Sequence, residues 1–139
     1  MIRFSVLLAL LLGIFWSRPV RAEPDPADAL TRLAVQRRDA ARATYEAMWA
    51  NYREGRAPEE LLYRWSRRWL MAERQLSKQP ADPVAAFRDH WQRMKDLENI
   101  VRKLQRSRDS TIDQVSAVEF YRAEAELWLL KAKEGARSH

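Results

Sequence analysis

Side-chain catalysis needs a nucleophile beside a base, a pair of cooperating carboxylates, or a metal held by several ligands. This chain of 139 residues offers few such sets. Its two histidines are His90 and the terminal His139. His90 stands between Asp89 and Trp91 on the edge of a helical stripe, and no second ligand follows three or four positions on, where a metal site would need one. Met94 lies four residues beyond His90, a spacing that invites a copper reading. One His and one Met make too weak a site, and Met94 is better explained as core. His90 reads as a partly exposed helix histidine. The acid pairs are Glu59–Glu60 and Glu124 with Glu126. Residues two apart on a helix do not share a face, so Glu124 and Glu126 cannot cooperate. No serine sits in a nucleophile-elbow context, and no glycine-rich loop is present to hold phosphate. The sequence therefore predicts no catalytic residue, no cofactor, no metal and no small-molecule substrate.

Arg64, Arg67 and Arg68 alternate with Tyr63, Trp65 and Trp69. Basic residues interleaved with aromatics can bind nucleic acid by charge and stacking. Here Trp65 and Trp69 are needed for a core stripe, so arginine cover over the tryptophans is the better reading, and no nucleic-acid partner is expected. The basic group Arg102, Lys103, Arg106 and Arg108 falls at the C-terminal end of a predicted helix. Cations there complement the helix dipole, a simpler account than a docking patch for an acidic partner.

These residues must be positioned by helices. Residues 1–22 read as a secretory signal peptide, with Arg3, an apolar run from Val6 to Trp16, and cleavage expected after Ala22. The alternative is a retained anchor, but that run of 11 residues is too short to span a bilayer, where about 20 are needed. The domain is then 23–139. Three of the 25 Lys and Arg lie in the leader and none of the 19 acids do, leaving 22 against 19, a net charge of +3 rather than +6. That balance suits solvated helix faces more than an anionic partner. With no cysteine, the fold must stand on its core in an oxidising compartment. Beyond the leader no segment could cross a membrane.

The pattern predicts an all-α fold of two consecutive antiparallel hairpins, with helices at about 26–54, 58–77, 83–106 and 111–133. Asp25-Pro26 and Asp82-Pro83 each open a helix, Gly55 closes the first, and Pro58 opens the second. Lys78 to Ala81, containing Pro80, breaks the pattern; Ser110 with Asp113 has capping-box spacing; Gly135 marks the final stop. The stripe Val115, Val118, Ala125, Leu129 and Ala132 repeats one found 53 positions earlier at Leu62, Trp65, Ala72 and Leu76. Upstream, Ala34, Ala41 and Met48 match Phe87, Met94 and Val101 at the same offset. One hairpin is written twice. Placing the turns sets the register: Tyr52 faces Leu62, Met48 faces Trp65, Tyr45 faces Trp69 and Ala41 faces Ala72. In the second hairpin Val101 faces Val118, Met94 faces Ala125, and Glu98 faces Arg122. The last level pairs opposite charges where the first hairpin has Tyr45 and Trp69, which predicts a partly shielded Glu98–Arg122 salt bridge. Met48, Trp65, Met94, Val101, Val118 and Ala125 are expected inside. The hairpins either fold on each other as a four-helix bundle or form an elongated array needing a second chain.

The run Tyr52-x-x-Gly55-x-Ala57-Pro58-x-Glu60-Leu61-Leu62, followed by Ala72-Glu73-x-x-Leu76, resembles the helical-hairpin repeat of outer-membrane efflux proteins of the TolC type. Ile112-Asp113-Gln114-Val115 followed by Arg122-Ala123-Glu124-Ala125-Glu126-Leu127 is similar again. Those channels carry membrane β-strands and longer helices that this chain lacks, so the resemblance implies hairpin architecture and an envelope location, not a channel. Size, leader and helical pattern are also similar to small periplasmic chaperones of the Spy and CpxP type, without their Leu-Thr-x-x-Gln signature. The function expected is that of an exported, non-enzymatic protein acting by protein–protein binding or self-assembly in the cell envelope. The alternative is a small periplasmic chaperone or a stress- or metal-responsive accessory protein. The partner expected is another envelope protein or a second copy. Mass spectrometry of protein extracted from the envelope should find Glu23 at the N-terminus; an intact Met1 form confined to the cytoplasm would overturn the leader assignment.

Overall fold

Each helix starts and stops for a local reason. In the computed structural model, which describes residues 25–76, 82–107 and 109–138, the elements are α1 (Pro26–Arg53), α2 (Glu59–Leu76), α3 (Ala85–Arg106) and α4 (Ile112–Arg137). No strand occurs among the described residues, and the protein is all-α. The Asp25 carboxylate accepts the Ala27 N–H at 2.9 Å, with Pro26 at the first helical position. At the other end of α1, Gly55 takes a φ of 70°. Its N–H donates to the Tyr52 carbonyl at 2.9 Å, and the Arg56 N–H donates to the Asn51 carbonyl at 2.8 Å. This pair of bonds is the Schellman closure that a glycine at this position permits.

Four boundaries differ from the sequence reading. Pro58 precedes α2 instead of opening it, and its carbonyl accepts the Leu61 N–H at 3.1 Å. Helix α3 begins at Ala85, not Pro83, because Asp82 first organises a turn: its carboxylate accepts the Val84 N–H and an Arg88 guanidinium N–H, both at 3.0 Å. The start of α4 is capped one residue later than Ser110–Asp113 would place it. Thr111 and Gln114 do the work, with the Thr111 N–H donating to Gln114 Oε1 at 2.9 Å. Nor does Gly135 stop α4, which runs through it to Arg137. A helical glycine costs about 1 kcal/mol relative to alanine, too little to end a helix on its own. The break at Lys78 to Ala81 and the leader lie outside the described residues.

Packing follows the duplicated pattern. Helix α1 lies along α2, and α3 along α4. The Tyr45 and Trp69 rings meet at 5.8 Å between centroids, and Arg122 reaches Glu98 at 2.9 Å, both at the predicted levels. Helix α2 also packs on α3 and α4, whereas the backbone of α1 comes close to neither. The two hairpins nevertheless share one core, because Tyr45, Leu62, Leu97, Val101, Val115 and Val118 form a single cluster drawn from all four helices. Met94, Val101, Val118 and Ala125 are buried as expected. Met48 and Trp65 are only half-buried, packed against the cluster from its edge. The reason is that α1 has one neighbour, so the α1–α2 seam stays open on one side.

Glu98 is the buried charge of the second hairpin. Burial works to raise its pKa, but hydrogen bonds from Arg102 and Arg122 outweigh that and hold it below the usual carboxylate value. Arg102 donates to Oε1 and Arg122 to Oε2, each at 2.9 Å. Replacing Arg122 alone by Met should cost about 1–3 kcal/mol in denaturant unfolding, between an exposed pair and a fully buried one. The double exchange Glu98→Tyr with Arg122→Trp, which copies the first hairpin, should recover that loss; a double variant weaker than the single one would mean that the two levels are not equivalent.

Candidate functional site

Two features stand out from a plain helical core: a polar junction inside it and an apolar face outside it. The junction forms where α2 meets α3. Ser66 and His90 are fully buried. Arg93 lies with its guanidinium 4.0 Å from the centre of the Trp69 ring and 5.6 Å from that of Tyr45. Its Nε donates to Ser66 Oγ at 2.7 Å. A guanidinium can only donate, so Ser66 Oγ accepts from Arg93, and it shares a second hydrogen bond with His90 Nδ1, 2.8 Å away. The other ring nitrogen, Nε2, is buried without a partner among the described residues. Its ring stacks on Trp128 at 5.7 Å. Burial, then the positive charges of Arg93 and Arg67, push the imidazole down to about 3. Burial also lowers the pKa of Arg93, against the pull of Tyr45, Glu73 and Asp89. The Tyr45 hydroxyl is pushed up to about 12, chiefly by burial.

A serine hydrogen-bonded to a histidine has the parts of a nucleophile and base. Here both are closed off from solvent, and the histidine is too weak a base to take the proton at neutral pH. The arrangement ties helices together: α1 through Tyr45, α2 through Ser66 and Trp69, α3 through His90 and Arg93, α4 through Trp128.

The outer feature belongs to α4. One face of this helix carries Val115, Val118, Ala125 and Leu129 into the core. The opposite face carries Ile112, Phe120, Ala123, Leu127 and Leu130, all exposed. Phe120 keeps 60% of its surface and Leu127 49%. The spacing from 120 to 130 steps three, four, three, so these side chains form one straight stripe. From Ile112 to Leu130 it is about 27 Å long. Glu119 and Glu126 border it on one side and are paired within the chain, with Arg102 and Arg122. Asp113 and Lys131, both exposed, flank it on the other side.

No family model, curated protein or solved structure matches the chain. The site has to be read from its own geometry.

The other residues singled out in the sequence fall as follows. His90 is wholly buried, not partly exposed as expected, because Ser66 is small and lets α3 approach α2 closely at that level. Met94 is core. Arg68 covers Trp65 at 4.4 Å and Arg42 covers Trp69 at 5.7 Å, while Arg67 covers Trp128 of α4 at 5.3 Å. The Tyr63 hydroxyl donates to Glu124, and burial with that bond pushes it up to about 12. Glu126 pairs with Arg122 and Glu60 with Arg64. Arg102 bridges Glu98 and Glu119; Arg108 and His139 lie outside the described residues. Among the described residues no group of three or more His, Cys, Asp or Glu is placed to hold a metal ion. No described helix is long and apolar enough to cross a membrane. A cleft of about 780 Å³ opens between the ends of α2, α3 and α4, with Leu76, Phe87 and Ala132 in its walls. Charges of both signs, Arg74 and Asp82 among them, line it, so it selects no charge class of ligand.

The buried histidine gives the fold a pH signature. Folded His90 stays neutral down to about pH 3, whereas the unfolded chain takes up a proton at its ordinary value of about 6.5. The unfolded state binds more protons in that window, so the contribution is intact above pH 6.5 and is lost as pH falls. Unfolding free energy should drop by about 1.4 kcal/mol per pH unit between pH 6 and 5, above the range where Glu98 titrates. In His90→Asn the slope in that window should flatten, whatever the variant's absolute stability; an unchanged slope would mean that another group carries it.

Proposed function

We propose that this chain is an exported, non-enzymatic helical-hairpin protein that works in the cell envelope by protein–protein binding, through the outer face of α4. The observation that carries the reading is the second apolar stripe of that helix. Isolated exposed leucines are ordinary, but a contiguous row on one face marks an interaction surface. Ile112, Phe120, Leu127 and Leu130 are four of the six large exposed apolar residues among the described ones; the others are Leu30 and Leu33 near the start of α1. A helix apolar on two opposite faces gains stability when the second is also covered. The closed, weakly basic Ser66–His90 pair favours binding over catalysis. The leader and the hairpin resemblance support the envelope as the place of action.

A photo-crosslinking residue placed singly at 120, 127 or 130 in the cell should give protein adducts, while the same residue at Asp39 or Arg53, exposed positions of α1, should not. Equal labelling at both sets, or none at the α4 positions, would overturn the reading.

A further inference from the structure

We propose that the occupant of the α4 outer face is a second copy of this chain, docked antiparallel about a two-fold axis beside Ala123. This rests on the reading of that face as a protein-binding surface and names its partner.

The stripe is self-complementary in one direction only. Its small residue, Ala123, stands at the middle, with Phe120 and Leu127 one step to either side and Ser116 and Leu130 a step beyond. A two-fold axis beside Ala123 places Phe120 of one copy against Leu127 of the other, and the reverse. It sets Ser116 against Leu130. Each bulky side chain then meets a different residue of the partner helix, and the alanines let the backbones approach at the crossing point. A parallel pairing would stack Phe120 on Phe120 and Leu127 on Leu127, like on like at every level.

The flanking charges point the same way. A two-fold axis perpendicular to the helices brings the same flank of each copy together. On the flank where neither charge has an ion-pair partner among the described residues, Asp113 lies toward the start of α4 and Lys131 toward its end. Antiparallel docking sets the Asp113 of one copy within a turn of the Lys131 of the other, twice over. Parallel docking would turn the Asp113–Lys131 flank of one copy toward the Glu119–Glu126 flank of the other, so that Asp113 and Lys131 would not meet. On the other flank Glu119 faces Glu126, and each is already neutralised by an arginine of its own chain.

The absence of cysteine lets introduced thiols report the geometry without background. Purified Ala123→Cys should oxidise to a disulfide-linked dimer. Ile112→Cys should not, because its two copies would stand about 33 Å apart along the seam, against about 7 Å at most for a disulfide. A mixture of Ile112→Cys with Glu134→Cys should link across copies. In sedimentation equilibrium Phe120→Glu and Leu127→Glu should each weaken the dimer at least about tenfold, with helix content unchanged because both positions are exposed. Lys131→Glu and Asp113→Lys should each weaken it about two- to fivefold at low salt, and the double exchange should restore it. Self-linkage of Ile112→Cys, or a dimer indifferent to Leu127→Glu, would overturn the proposal. A protein that stays monomeric would also overturn it. Adducts to another protein at position 127 in the cell would still uphold the binding reading in that event, and their absence would end both.

Discussion

The fold turns on one buried cation. Taking the Arg93 guanidinium out of water is unfavourable unless its charge and donors are met. Three groups meet the charge and one of the donors: the faces of Trp69 and Tyr45 and the hydroxyl of Ser66, while Nη2 is buried without a partner among the described residues. These come from both helices of the first hairpin, while Arg93 belongs to the second. These contacts form only when the hairpins dock in one register, because a slide by one turn would replace the ring or the hydroxyl with aliphatic carbon. Apolar area alone would not discriminate so sharply among neighbouring registers. The same docking brings His90 onto Ser66 and Trp128, which accounts for a wholly buried histidine in a chain with no metal-ligand cluster among its described residues.

This also explains why the duplicated hairpins differ where they do. The level that carries Tyr45 and Trp69 in the first carries Glu98 and Arg122 in the second, 53 positions on. In the first hairpin those rings receive a cation from the next helix. In the second the corresponding positions receive none, and an internal ion pair with Arg102 beside it closes the layer. The two levels solve different problems on one scaffold: an aromatic cradle for an incoming charge, and a pair that neutralises itself.

Much of this was legible in the sequence, and the exceptions share one cause. Helix number, the α1–α2 and α3–α4 registers, the Gly55 closure and the Glu98–Arg122 pair follow from local patterns within a hairpin. Contacts between hairpins do not. A single stripe of Leu62, Trp65, Trp69 and Ala72 describes what α2 shows to α1, but α2 has a second face through Ser66 and Leu70, both fully buried. A serine inside an apolar row reads as an interruption until its partners are known, and these lie 24 and 27 residues away. His90 reads as exposed for the same reason. The outer stripe of α4 was present as Phe120, Ala123, Leu127 and Leu130, yet one core stripe already explained the helix, and nothing local marks a second as surplus.

That surplus face has a definite place in the repeat. Shifted by 53 positions, the α2 residues that meet the second hairpin, Ser66, Arg67, Leu70 and Arg74, become Glu119, Phe120, Ala123 and Leu127 of α4. The outer face of α4 thus stands where α2 has its seam with the next hairpin. Two of the substitutions along the shift exchange an arginine for a large apolar residue. In α2 those arginines cover Trp128 and Phe87, rings supplied by the other hairpin. At the corresponding positions of α4 both arginines are gone, whereas a solvated face would keep them. Phe120 and Leu127 in their place are what an apolar seam requires.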